Sequence, residues 1–112
     1  MLANNLESLS IREMDAYGLV EAAVALDLAR DNAAQLALAL ENNLELWVAI
    51  RTLVSMSNNS LASETKENLR KLSEYIAQTT FREGATMTRS NLDSLININL
   101  QISEGLLEGA RH

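Results

Sequence analysis

The 112-residue chain has no cysteine and no proline, a single histidine, and few aromatic residues. Without cysteine there can be no disulfide, no thiol catalysis and no thiolate-held metal, and a reducing compartment is the natural setting. The only histidine, His112, is the final residue, where fraying makes it a poor general base or metal ligand. Ser-His-Asp and Glu-x-x-His arrangements are therefore out of reach. There is no phosphate-cradling loop ending in Gly-Lys-Ser/Thr. Glu41 and Glu45 stand one turn apart, as do Glu104 and Glu108, but solvated helix faces produce such pairs routinely. Enzymatic activity is not expected, and neither is a cofactor.

Basic charge is also scarce. Nine Lys and Arg against fifteen Asp and Glu give a net charge of −6. Phosphate binding needs a clustered basic excess, so direct contact with nucleic acid is not expected. Docking on an anionic membrane surface is disfavoured for the same reason. Residues 1–9 show neither a basic lead nor a long apolar run, and Glu21 and Asp27 interrupt the most apolar stretch. The expectation is a cytoplasmic protein, in which the Asn58-Asn59-Ser60 glycosylation pattern has no meaning. An acidic surface of this kind suits a partner with a basic segment.

What the chain does contain is apolar residues at helical spacing. Nearly half of it is apolar, and only Gly18, Gly84, Gly105 and Gly109 loosen the backbone, so long helices are the natural reading. The length argues for a single domain over residues 1–112, burying roughly 65% of the unfolded chain's surface. Ser10 and Glu13 form a capping-box pattern that opens a first helix through Tyr17, Val20, Val24 and Leu28, its face widened by Leu19, Ala23 and Leu26. Gly18 weakens that helix by roughly 1 kcal/mol relative to alanine. Arg30-Asp31-Asn32 breaks it, and Asp31 is expected to cap a second helix from Ala33 to about Val54.

The polar run from Ser55 to Ser60 reads as a loop. Ser60 or Ser63 is expected to cap a third helix carrying Leu69, Leu72, Ile76 and Thr79, with Glu67 and Lys71 paired on its wet side. Gly84 is the expected left-handed terminator. Ser90 and Asp93 open a fourth helix that fades after Gly105 and Gly109. The fold class is all-α, a compact bundle of about four helices joined by short loops.

Two of these helices carry an amide on an apolar stripe. Asn99 falls among Leu92, Leu95, Ile96, Ile102 and Leu106, and Asn43 lies one turn before Trp47 on a stripe with Leu36, Leu40, Ile50 and Val54. An amide facing a core is costly unless it finds partners. Two readings stand side by side. In one, Asn43 and Asn99 satisfy each other and fix how the second and fourth helices align, as a buried Asn does in coiled coils. In the other, they hydrogen-bond the backbone of a bound peptide. Trp47 likewise is either a core anchor burying on the order of 200 Å² or a hot spot for a partner.

These stretches also carry a resemblance. Asn43-x-x-x-Trp47, preceded by alternating Ala and Leu, resembles a segment of the flagellar biosynthesis regulator FlaF family. The run Leu95-Ile96-x-Ile98-Asn99-x-x-Ile102-x-Glu104-Gly105-Leu106 is similar to that family's closing motif. Asn59-x-Leu61 and the third helix sit between them in the family's order, so the resemblance spans about Tyr17 to Leu106. It implies a cytoplasmic protein of flagellated alphaproteobacteria that promotes flagellin production. It also implies that the protein binds new flagellin and escorts it to the flagellar export apparatus, alongside an opposing FlbT-like regulator.

Taken together, these readings give a helical protein that holds an amphipathic flagellin terminal segment in a groove between apolar helices. Leu46, Trp47, Ile98, Ile102 and Leu106 would line or support the groove, with Asn43 and Asn99 setting its polar register. The alternatives are a structural module whose stripes pair in a homodimer, and a post-transcriptional regulator of flagellin synthesis acting through a protein partner.

Overall fold

The computed structural model describes residues 16–56 and 62–110. Every regular element among them is helical. The first helix, α1, covers residues 16–28 of the described chain, and its expected start at Ser10 lies outside the described residues. Helix α2 spans Ala33–Val54, α3 Ser63–Glu83 and α4 Arg89–Ala110, with a single 3₁₀ turn at Gly84–Thr86 between the last two. Short connections make successive helices antiparallel neighbours. Pairings across the bundle agree: Leu19 on α1 lies level with Asn99 on α4, and Arg30 beyond α1 meets Asp93 near the start of α4.

The ends of the helices depart from the sequence reading in instructive ways. Asn32, not Asp31, caps α2, because it takes the extended backbone conformation directly before Ala33 and its Oδ1 accepts the Gln35 N–H at 3.0 Å. Asp31 is one residue too early and sits in the turn. Ser63 is the first residue inside α3, and Ala62 occupies the capping position without a side-chain bond. Ser60 lies outside the described residues. Thr88 caps α4 by accepting the Asn91 N–H at 3.1 Å, so the helix opens at Arg89, one residue before Ser90. It continues through Gly105 to Ala110, since a helical glycine weakens a helix without breaking it.

Gly84 does end α3 with a positive φ of 53°, its N–H donating to the Thr80 carbonyl. Around it the α3–α4 corner is tied by Glu83. Both carboxylate oxygens accept from the Asn91 amide, at 2.9 and 2.7 Å, and one also accepts from Arg82 Nη2 at 3.0 Å. The amide first, and the guanidinium second, hold this carboxyl below its ordinary value. On α3, Glu67 pairs with Arg70 at 3.0 Å, three residues on, where the sequence had suggested Lys71.

The core follows the expected stripes on three helices and only half of the expected face on α1. Leu36, Leu40, Asn43, Trp47, Ile50 and Val54 are all buried on α2. Helix α3 buries Leu69, Ile76 and Thr79, and α4 buries Leu92, Leu95, Ile96 and Asn99. On α1 the inward side is Ala16, Leu19, Ala23, Leu26 and Ala29. Tyr17, Val24 and Leu28, expected to lead the buried face, are 59%, 51% and 78% exposed. Leu19 and Leu26 supply the bulk on the inward side, and Ala16, Ala23 and Ala29 fill the space between them. Where Gly18 meets α2, a Cβ in its place would lie 3.5 Å from Leu46 Cδ1.

Candidate functional site

The two amide-bearing stripes converge. Asn99 Nδ2 donates to Asn43 Oδ1 at 2.7 Å and to the Leu19 carbonyl at 3.3 Å, while Trp47 Nε1 donates to Asn99 Oδ1 at 2.9 Å. Asn43, Trp47, Asn99 and Leu19 are all fully buried. One side chain of α4 thus ties α1 and α2 together in the middle of the core. The Leu19 carbonyl lies inside a helix and has a second lone pair to offer.

The direction of this chain of hydrogen bonds is dictated by chemistry. An indole N–H can only donate, so the Asn99 oxygen must face Trp47. That turns the Asn99 NH₂ toward Asn43, whose oxygen must then face it. The remaining consequence is a mismatch. The Asn43 NH₂ is left buried with no hydrogen-bond partner. Turning the Asn43 amide over would set two NH₂ groups against each other. A buried donor without an acceptor costs about 1–3 kcal/mol. The buried Ser73 and Ser103 hydroxyls escape this by donating to the Arg70 and Leu100 carbonyls of their own helices.

The expected site residues fall into two groups. Asn43, Trp47 and Asn99 come together as the buried node. Leu46, Ile98, Ile102 and Leu106 pack against the core while staying partly exposed. The pairing of the two amides is the arrangement that the sequence left open beside a peptide-binding one. The indole's role as donor to Asn99 was not read from the sequence. A signal for it existed, because a buried Trp needs an acceptor and an apolar stripe with one amide supplies it. The Leu19 carbonyl gave no signal, since every helical residue carries one.

None of the three polar side chains in the node titrates in the ordinary pH range, and none is a nucleophile. Glu41, Glu45, Glu104 and Glu108 are exposed, in keeping with solvated faces. Among the described residues no group of three or more His, Asp or Glu is placed to hold a metal. No helix among them is long and apolar enough to cross a membrane. What the node can do is hold three helices in one register.

Comparison with known proteins adds one finding. A family model described as flagellar protein FlaF matches residues 3–106. The match begins well before Tyr17 and so takes in the N-terminal segment that the motifs left out. No curated protein and no solved structure matches the chain.

Proposed function

The chain belongs to the FlaF family of flagellar proteins, and from that premise we propose that it binds newly made flagellin and escorts it to export. On this reading it is a non-enzymatic cytoplasmic adaptor, and the cargo is one of flagellin's amphipathic terminal segments. Such a segment is disordered before assembly and gains order by laying its apolar face on a helical surface. The export apparatus and an FlbT-like regulator are the further partners that this role would call on.

The observation that supports the reading is the rim of half-buried aliphatic side chains, Leu46 on α2 and Ile98, Ile102 and Leu106 on α4. The three on α4 recur every fourth residue, so they form one stripe along the helix. A partner can cover such side chains without unpacking what lies beneath. Asn43, Trp47 and Asn99 then act as the support that fixes the spacing and rotation of the helices carrying the rim.

Calorimetry with the cognate flagellin tests this. The expected result is binding at about micromolar or better, weakened by Ile98→Ser with Ile102→Ser. No measurable binding at tens of micromolar would refute it.

A further inference from the structure

We infer that the outward face of α1 is a second docking surface, and that its occupant is an amphipathic helix edged with lysine or arginine. This inference does not depend on flagellin being the cargo.

At 100° per residue, Tyr17, Val24 and Leu28 lie within about 40° of one another on the α1 surface. All three are more than half exposed, and Val20 beside them is partly so. They make a stripe about 16 Å long, three helical turns, on a helix whose opposite side already fills the core. A core-facing helix has no packing reason to carry tyrosine, valine and leucine at that spacing on its wet side. Such a stripe marks a surface that another element covers.

Charge selects the occupant. Glu21 lies at one edge of the stripe and Asp27 beyond Val20 at the other, both exposed. Among the described residues at this end of the bundle, Arg30 bonds Asp27 at 2.6 Å and also contacts Asp93, so one positive charge serves two carboxylates. The described residues of the face carry a surplus of negative charge, which favours a basic edge opposite. A second copy of this chain fits poorly. Antiparallel pairing centred on Val24 sets Glu21 against Asp27 of the other copy, and parallel pairing sets Glu21 against Glu21. Area points the same way. One aromatic and a few aliphatic side chains expose on the order of 300 Å², well below the roughly 800 Å² per partner of a lasting interface. A single helix, bound and released, matches both charge and size.

The test uses the full chain and two labelled helical peptides with the same leucine stripe, one edged with lysine and one with glutamate. Fluorescence anisotropy should show binding of the lysine-edged peptide alone, weakening as salt rises. The double variant Val24→Ser with Leu28→Ser should lose about tenfold or more in affinity. Glu21→Lys should weaken binding similarly, while Glu45→Lys, an equal charge change on the exposed side of α2, should not. All these side chains are exposed, so thermal melts should stay near that of the parent.

Equal binding of both peptides, or equal loss with Glu45→Lys, would overturn the proposal. So would a dimer by light scattering that the Val24/Leu28 variant dissolves, since the second copy would then be the occupant. If flagellin binds both the parent and the α1 variants equally while the lysine-edged peptide fails to bind, this surface is refuted and the cargo reading stands.

Discussion

The buried node makes an unequal prediction for two residues that look equivalent in the sequence. Replacing Asn99 by leucine, similar in shape, removes the acceptor for Trp47 Nε1 and the donor for Asn43 Oδ1. Two buried polar atoms are stranded, at about 1–3 kcal/mol each, against roughly 1–2 kcal/mol gained from burying an apolar side chain. The expected net loss is about 2–4 kcal/mol. Replacing Asn43 by leucine also removes its already unpartnered NH₂ and strands one hydrogen of Asn99, whose other hydrogen still meets the Leu19 carbonyl. The polar terms nearly cancel and the apolar gain is the same, so Asn43→Leu should match the parent or exceed it by about 1–2 kcal/mol. In the Asn99→Leu background, Asn43→Leu should be stabilising, because it removes an amide with no partner left. Urea unfolding followed by the single tryptophan measures all four corners of this cycle. Equal losses for the two single variants, or simple additivity in the double, would refute the hydrogen-bond direction argued above.

Other changes test the rest of the bundle. Trp47→Ala should cost about 3–5 kcal/mol, enough to unfold much of so small a domain, and circular dichroism would show it. Gly105→Ala meets nothing within 4 Å and Gly18→Ala makes only ordinary contact with Leu46, so each should add about 0.5–1 kcal/mol, raising the melting temperature by a few degrees. Gly84→Ala should instead lose at least ~1 kcal/mol, because its φ is positive. Glu83 has its acidity strengthened in the folded state, so it binds a proton less readily there than in the unfolded chain. Its stabilising effect is full above pH 4.5 and fades as pH falls through the lower folded value. The gap in urea midpoint between the parent and Glu83→Gln should therefore shrink on acidification.

How much was legible in the sequence varies by helix, and the reasons are physical. Helix α2 matches the sequence reading at both ends and at all six stripe positions, because Glu41 and Glu45 mark its wet side even though Leu38 and Val48 are exposed there. On helix α1 the expected face is right at Leu19, Ala23 and Leu26 and wrong at Tyr17, Val24 and Leu28. That helix carries apolar residues nearly all round, and periodicity favours the bulky set Tyr17, Val20, Val24 and Leu28. The core takes the side with Leu19, Ala23 and Leu26, and spacing alone does not choose between two apolar sides of one helix. The caps were off by one or two residues because Asp31 and Asn32, or Ser63 and Ala62, compete for one backbone conformation that only the turn geometry decides. Of the site, the two amides and the tryptophan were visible as anomalies on apolar stripes, whereas their mutual direction needed the positions of three helices at once.

That direction bears on where a partner can act. For a bound peptide to use Asn99 directly, the node would have to give up its three buried hydrogen bonds, and to reach even the unpartnered Asn43 NH₂ the core around the fully buried indole would have to part. Losing the indole's burial alone costs several kcal/mol, a large share of the 5–15 kcal/mol that holds a small domain together. A partner covering Leu46, Ile98, Ile102 and Leu106, or the α1 stripe, incurs no such cost, since those side chains already face water in part. The node therefore has its effect at a distance from the contact. It fixes helix register while leaving the Asn43 NH₂ unmet, a sacrifice of stability that an apolar pair would avoid. If the Asn43→Leu variant proves as stable as the parent yet holds flagellin less well, register and not stability is what the amide contributes.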